Sequence, residues 1–349
     1  MSRRRLFQVL VAAVVTICLL VFTGTLSAQG NSDQAFERVK EVQERHTEAM
    51  MAKDGVVGTA VGLNDQGKEA VLVLLERPGV GGIPQELEGV PVHPLVTGKI
   101  SALNARGKGK PAPSVDPTAH FTRPVPTGVS TGNANENSAG TIACRVKDSS
   151  GKVYALSNNH VYARENSAQA GEEVLQPGRY DGGIPSTLYV VSKDHLGNLS
   201  AWVGIDFSPT ASNNTVDAAI AASDTDTLGN ATPANGYGTP DSDTVTATVG
   251  MAVQKYGRTS SLTKGTVTGT NATILIGYSS GTAQFVNQII VQSRSPFIKA
   301  GDSGSLLVTN DKKKNPVGLL FAGNSSGNYA VANDIGAVLD SLDVTIDGQ

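Results

Sequence analysis

The stretch Ala300-Gly301-Asp302-Ser303-Gly304-Ser305-Leu306-Leu307-Val308 places a serine between glycines, directly before an apolar run. Glycine permits the backbone conformations of a tight loop, so Ser303 is expected to expose its hydroxyl there. The same loop turns backbone N–H groups toward one point, which is how a site that stabilises a developing oxyanion is assembled. The stretch therefore predicts a nucleophilic serine, with an ordinary turn as the alternative.

The chain around this stretch is predicted to be all-β. From Gly128 to the C-terminus, short strand-like runs are separated by loops rich in Asn, Ser, Thr and Gly, and no long helical pattern occurs before Ile335–Leu342. Such spacing is typical of a β-sandwich or a pair of barrels, and about 220 residues suffice for two barrels. The runs are Gly140–Val146, Val153–Leu156, Leu188–Val191, Val216–Ala221, Thr244–Val249, Gly265–Val267, Ile274–Tyr278, Gln288–Gln292, Leu306–Thr309 and Val317–Ala322.

A serine nucleophile needs a base, and His160 is the best placed of the five histidines. It follows the apolar run Val153–Leu156 and the small polar turn Ser157-Asn158-Asn159. The other four lie in a helical pattern, in the N-terminal part and in a polar loop: His46, His93, His120 and His195.

The acid that would orient this imidazole is predicted to be Asp217. It precedes the small apolar run Ala218-Ala219-Ile220-Ala221, so its carboxylate is expected to be buried and must then be paired. Asp206 is the competing candidate, but no comparable apolar strand follows it.

Chain order separates the classes of serine hydrolase. No histidine follows Ser303, which excludes the α/β-hydrolase order with this serine, and Ser305 breaks the Gly-x-Ser-x-Gly motif. The subtilisin order needs an acid before His160; Asp148 is available, but nothing around His160 supports it. The remaining order is His160, Asp217, Ser303, with spacings of 57 and 86 residues that suit one barrel for the first two and a second barrel for the serine.

In these motifs the chain resembles the trypsin/chymotrypsin-like serine peptidases of the bacterial, disulfide-poor sort. More loosely, the whole chain resembles bacterial relatives of the plant NARROW LEAF 1-type trypsin-like proteins. The resemblance implies an all-β double β-barrel (chymotrypsin-like) with a small N-terminal α+β domain. It rests on Leu156–Val161, Val216–Ala221, Gly301–Gly304, Val317–Gly323 and the stretch Tyr256-Gly257-Arg258-Thr259-Ser260.

The resemblance also implies roles for individual residues. His160, Asp217 and Ser303 would be catalytic, and the backbone N–H groups of Gly301 and Ser303 would form the oxyanion hole. Arg258 would hold Asp302, which makes the site competent without cleavage of the N-terminal part. The expected function is an exported serine endopeptidase that works through an acyl-enzyme, without metal or other cofactor.

Three departures from the family pattern keep an alternative open. Val161 stands where a cysteine often follows the histidine, so Cys144 has no partner and is expected to be a buried, inert thiol. Ser305 replaces a usual glycine, and Phe321 occupies the place of a serine that commonly supports the acid. The alternative is a catalytically inactive binding protein of the same fold, and an esterase is a third possibility. Phe297, near the expected pocket floor, predicts an apolar or small residue before the cut.

The N-terminal region divides into segments by composition. Residues 1–28 combine Arg3-Arg4-Arg5 with an apolar run and small residues, which predicts a signal peptide, with an uncleaved anchor as the alternative. Residues 31–105 are predicted to form a small α+β pro-region or accessory domain. Residues 106–126 are rich in Gly, Pro and Lys and predict a linker, and 127–349 is the predicted peptidase domain.

Composition limits the partners. With 28 Lys+Arg against 31 Asp+Glu there is no basic excess, so nucleic-acid binding is disfavoured, and the scattered histidines disfavour a zinc site. The expected partner is a protein or peptide substrate, with a membrane only if the N-terminal segment is uncleaved. The expected location is secreted or periplasmic.

Overall fold

The computed structural model describes residues 34–103, 115–208 and 213–349. The predicted signal segment 1–28 lies outside the described residues, as does the first part of the predicted linker. Within the described ranges, no helix combines the length and the apolar character needed to cross a membrane.

The N-terminal part is a helix packed on a small mixed sheet. The apolar face of α1, including Val39, Val42 and Met50, packs on valines of the sheet such as Val61 and Val71. Strand β1 is antiparallel to β2, β2 is parallel to β4, and β3 is antiparallel to β4. The elements are α1 (34–51), β1 (Val56–Leu63), β2 (Glu69–Leu75), β3 (Glu86–Leu87), β4 (Val90–Val96) and β5 (Ile100–Ala102).

The first barrel is formed by seven short strands, two of which follow each other within residues 140–147. Its sheet order is β8-β9-β12-β11-β10-β6-β7. The barrel closes because residues 140–147 bond on one side to the start of β6 and on the other side to β9. Ile142 N donates to Val129 O at 3.0 Å, and Ala143 N donates to Leu156 O at 2.8 Å. The elements are β6 (Ser130–Asn133), β7 (Gly140–Thr141), β8 (Arg145–Lys147), β9 (Val153–Ser157), α2 (Asn159–Tyr162), β10 (Glu173–Leu175), a 3₁₀ turn (Arg179–Asp181), β11 (His195–Trp202) and β12 (Ala219–Ala222).

The second barrel is closed by six antiparallel strands. The order is β13-β16-β17-β18-β15-β14, and β14 pairs with β13 to complete the ring. A C-terminal helix and a last short strand follow, and that strand joins the first barrel beside β8. The elements are β13 (Ala252–Gly257), β14 (Ser261–Gly277), β15 (Thr282–Gln292), β16 (Leu306–Thr309), β17 (Pro316–Asn324), β18 (Tyr329–Asp334), α3 (Ile335–Leu342) and β19 (Thr345–Ile346).

The predicted fold class, a chymotrypsin-like double β-barrel with a small N-terminal α+β part, is confirmed by these two closed rings of strands. Two of the strand-like runs are not strands in the structure: Leu188–Val191 and Thr244–Val249. The first of them is exposed, with Leu188 89% and Tyr189 90% accessible, so its apolar residues have no sheet to pack against.

The N-terminal part is joined to the second barrel rather than separate from it. Strand β1 pairs antiparallel with β14, with Gly58 opposite Ile274. Leu72 and Leu74 share one apolar core with Ile274 and Phe285 of the barrel. The sheet of the N-terminal part therefore continues that of the barrel.

The linker predicted for 106–126 is wrong from residue 115 onward. Val125 is buried and forms a bridge to Leu228 of the first barrel. The side chain of Gln176 accepts from Phe121 N at 3.2 Å and donates to Ala119 O at 2.9 Å. Apolar side chains such as Val125 attach this proline-rich segment to the first barrel.

Candidate active site

His160 lies in a one-turn helix at the end of strand β9. The small polar residues that end the strand are fully buried and fix the turn by side-chain hydrogen bonds. Asn158 Nδ2 donates to Asp217 O at 2.7 Å, and Asn159 Nδ2 donates to Val203 O at 2.7 Å. The turn that carries His160 is thereby attached to the segments preceding β12.

The imidazole of His160 is paired with the carboxylate of Asp217. His160 Nδ1 lies 2.6 Å from Asp217 Oδ2, and its backbone N–H donates to Oδ1 at 3.2 Å. Both side chains are fully buried. A carboxylate only accepts hydrogen bonds, so Nδ1 is the donor and Nε2 of the neutral ring is left as an acceptor. Among the described residues, Nε2 has no hydrogen-bond partner.

The competing acid, Asp206, is exposed and accepts a hydrogen bond from the backbone N–H of Ser208. Asp217 is held further by its own backbone, whose N–H donates to Asn333 Oδ1 at 3.0 Å. The structure therefore brings Asp217, and not Asp206, to the imidazole.

Tyr278 is a member of this site that the sequence analysis missed. Its hydroxyl donates to Asp217 Oδ2 at 2.9 Å, and its ring meets that of His160 edge-on at a centroid distance of 5.9 Å. Burial and the charge of Asp217 raise the pKa of Tyr278 well above its usual value, so the hydroxyl remains a donor. Phe321 cannot support the acid, since its ring packs on Phe285, and Tyr278 supplies that hydrogen bond instead.

Replacing Tyr278 with phenylalanine is expected to lower kcat for peptide hydrolysis by about 10- to 100-fold, because a hydrogen bond to a charged group contributes about 1.5–3 kcal/mol. Steady-state kinetics measure the effect. Tyr329→Phe is the matched control, because that buried hydroxyl bonds to Gln292 and not to the acid. Equal kcat losses in the two variants would contradict the role of Tyr278.

Ser303 lies in a turn whose glycines are required by their surroundings. Gly301 and Gly304 have φ values of +94° and +90°, which favour glycine. A Cβ on Gly304 would lie 2.3 Å from both Thr141 O and Ser157 Oγ. Thr141 N also donates to Ser303 O at 2.8 Å. The serine turn therefore packs against the end of β9 at Ser157, and Ser157 precedes His160 by three residues.

The hydroxyl of Ser303 donates to Phe321 O at 3.0 Å rather than to the imidazole. The bond from serine to histidine is therefore not formed in this conformation. A rotation about one side-chain bond redirects a serine hydroxyl, and catalytic hydrogen bonds commonly tighten only when substrate is bound.

Asp302 is held by Lys255, not by Arg258 as the sequence analysis expected. Lys255 Nζ lies 3.0 Å from Asp302 Oδ2, and both side chains are fully buried. The carboxylate also accepts from the backbone N–H groups of Lys299, Thr259 and Ser260 at 2.8–3.0 Å. Burial lowers the pKa of Lys255, and the charge of Asp302 opposes that shift.

Arg258 instead reaches the first barrel. Its Nε donates to Asp181 Oδ2 at 2.8 Å, and its backbone N–H donates to Thr141 Oγ1 at 3.0 Å. The guanidinium therefore ties the two barrels together beside the serine turn. The buried cation expected next to Asp302 exists, but Lys255 provides it from strand β13.

The predicted oxyanion donor Gly301 has a partner from the N-terminal part of the same chain. Its N–H donates to Leu103 O at 2.7 Å, and Leu103 N donates to Ser303 Oγ at 3.3 Å. Ser303 is fully buried in this arrangement. The contribution of the Ser303 N–H to an oxyanion hole stays a prediction.

Cys144 is buried and unpaired, and burial raises the pKa of its thiol far above the usual value. Such a thiol is a poor nucleophile. In the part of the chain that the structure describes, no group of three or more His, Cys, Asp or Glu side chains is arranged to hold a metal ion.

One family model matches part of the chain. Residues 239–345 match the family model of the Nal1 C-terminal domain. The resemblance to the Nal1-type proteins is confirmed over this part. The matched residues include all six strands of the second barrel, with Ser303, Lys255 and Tyr278. A search of curated proteins found no match.

Solved structures of serine proteases match at low identity. A glutamic-acid-specific serine protease is 19% identical, with a TM-score of 0.46, and the match covers 64% of this chain and all of that one. Protease A of Thermobifida fusca is 16% identical, with a TM-score of 0.44, over 64% of this chain and 98% of its own. A Nocardiopsis protease is 17% identical, with a TM-score of 0.44, over 63% of this chain and 97% of its own.

Proposed function

We propose that this chain is an exported serine endopeptidase in which His160, Asp217 and Ser303 act as base, orienting acid and nucleophile. The observation that carries the proposal is the buried pair of His160 and Asp217, which leaves Nε2 of the imidazole as an unpaired acceptor among the described residues. A paired carboxylate fixes the tautomer of the ring and stabilises the imidazolium that forms during reaction.

The proposed reaction is acyl transfer. His160 Nε2 takes the proton of the Ser303 hydroxyl as its oxygen attacks a peptide carbonyl, and then delivers the proton to the leaving amine. The Gly301 N–H, which donates to Leu103 O in this structure, is expected to donate to the developing oxyanion, and one such donor contributes about 3–4 kcal/mol. Water then hydrolyses the acyl-enzyme by the same route. Export follows from the signal predicted for residues 1–28.

The second candidate is a binding protein of the same fold without activity. The observation that favours it is the hydroxyl of Ser303, which donates to Phe321 O instead of to His160. Phe321 stands where a serine commonly supports the acid, and this departure suggested an inactive protein. Tyr278 donates a hydrogen bond to Asp217 instead, so the acid is still supported. The hydrogen bonds of Asp217 to His160 and Tyr278 therefore favour the enzyme over the binding protein.

A fluorophosphonate probe separates the two candidates, since it reacts with activated serines. We expect one adduct per chain, located on Ser303 by peptide mapping, and no adduct in Ser303→Ala or His160→Ala. The matched control is His195→Ala, because His195 bonds to Glu173 and not to the acid. Absence of labelling in the unchanged chain even after prolonged reaction would favour the binding protein, and full labelling in His160→Ala would contradict the role of His160 as base.

A further inference from the structure

The last described residues of the N-terminal part form a strand in the cleft beside Ser303. After β4, the backbone is held where Asn324 Nδ2 donates to Thr97 O at 2.8 Å. Strand β5 then pairs antiparallel with the end of β17, with Ile100 opposite Asn324 and Ala102 opposite Ala322. An extended peptide that adds to the edge of a sheet is a common mode of substrate recognition.

Leu103 ends this strand with its backbone on the reacting groups. Its carbonyl oxygen accepts from Gly301 N–H at 2.7 Å, and its own N–H donates to Ser303 Oγ at 3.3 Å. These two contacts place the backbone of Leu103 beside both the nucleophile and the oxyanion donor. An acyl group presented for attack requires that position.

The side chain of Leu103 enters an apolar pocket. It packs on the cluster of the second barrel that contains Phe297, Ile298 and Leu320. A Cβ on Gly323 would lie 3.0 Å from Leu103 Cδ1, so the glycine leaves room for this side chain. A pocket with apolar walls accepts an aliphatic side chain and rejects a charged one, because an unpaired buried charge is costly.

We propose that the bond between Leu103 and Asn104 is cleaved by the active site of the same chain, and that the pocket of Leu103 selects medium-sized aliphatic residues before the cut. The inference rests on the proposed function and names its substrate class. It places the first substrate of the enzyme within its own sequence.

The proposed hydrolysis of the bond between Leu103 and Asn104 needs water as its only co-reactant. Ser303 Oγ bonds to the Leu103 carbonyl carbon, His160 takes the hydroxyl proton and passes it to the nitrogen of Asn104, and the carbon–nitrogen bond breaks. Water then adds to the ester with His160 as base, and its proton returns to Ser303. The products are a carboxylate at Leu103 and an amine at Asn104.

Cleavage need not release the new C-terminus from the cleft. Strand β5 stays paired with β17, and the rest of the N-terminal part stays joined to the second barrel through β1 and β14. The product therefore competes with other substrates, because its effective concentration at the site is high. Reaction of Ser303 with external probes is expected to be slow in the unchanged chain.

The test follows the purified full chain by intact mass and N-terminal sequencing. We expect a new N-terminus at Asn104, a partner fragment ending at Leu103, and a first-order rate that is unchanged by tenfold dilution. Ser303→Ala stays whole. Leu103→Asp slows the cut by at least about 100-fold because of its buried charge, whereas Leu103→Met retains it within about tenfold. Leu63→Asp, at an exposed leucine of the same part, is the matched control.

Fluorophosphonate labelling keeps the test informative if a variant is unstable. Leu103→Asp is expected to label at Ser303 about tenfold faster than the unchanged chain, since the cleft is cleared. An intact chain that nevertheless labels at Ser303 would overturn the inference and leave the proposed function in place. A Ser303-dependent cut at another bond, or an unslowed cut in Leu103→Asp, would also overturn it. No labelling in any variant would refute the proposed function itself.

Discussion

Asp217→Asn is expected to lower kcat for peptide hydrolysis by about 10⁴-fold while KM changes little. Asp217 accepts from Nδ1 of His160 at 2.6 Å and so keeps the proton on that nitrogen. An amide in its place can donate instead, which favours the tautomer with Nε2 protonated. That tautomer cannot accept the proton of Ser303, and the imidazolium loses its counter-charge.

The control for this effect is Asp206→Asn. It removes the other acid that the sequence offered, an exposed carboxylate that bonds to Ser208 N. We expect kcat within twofold of the unchanged protein for this control and an unaltered thermal transition. A loss in Asp206→Asn comparable with that in Asp217→Asn would reassign the acid.

Lys255→Met is expected to lower the free energy of unfolding by about 3–5 kcal/mol, because it leaves the buried carboxylate of Asp302 without its cation. The backbone N–H groups that bond to Asp302 do not replace a full positive charge. The serine turn follows Asp302 directly, so activity is lost with the pair. Urea-induced unfolding, monitored by circular dichroism, measures the change.

A double variant tests whether the charge is the cause. In Lys255→Met/Asp302→Asn no uncompensated charge is buried, so we expect it to be more stable than Lys255→Met alone. Lys264→Met, at an exposed lysine on the neighbouring strand, is the control and should unfold like the unchanged protein. An unfolding free energy of Lys255→Met within about 1 kcal/mol of the unchanged protein would contradict a stabilising pair.

The sequence predicted those parts of the site that have a local signature. His160 follows a strand and a polar turn, Asp217 precedes an apolar run, and Ser303 lies between glycines whose positive φ values explain the motif. The two barrels were predictable because short strands and turns recur along the chain. Each of these signals lies within about ten residues of sequence.

Parts of the site that depend on distant pairing were not predictable. Tyr278 reaches Asp217 from the end of β14, and no motif near it indicates that contact. Lys255 and Arg258 lie three residues apart, and only the direction of each side chain decides which one meets Asp302. The position of Leu103 on Gly301 depends on strand pairing across about 200 residues, which composition cannot reveal.

His160 and Asp217 are proposed to make Ser303 a nucleophile that forms an acyl-enzyme. The direct measurement is the pre-steady-state release of nitrophenol from an N-acyl-leucine nitrophenyl ester, with the full chain and with Leu103→Asp. We expect a burst equal to the enzyme concentration in Leu103→Asp, a slower burst in the full chain, and an acyl mass on Ser303 that is absent from His160→Ala. Nitrophenol release without a burst in both proteins, or an acyl group on another residue, would contradict it.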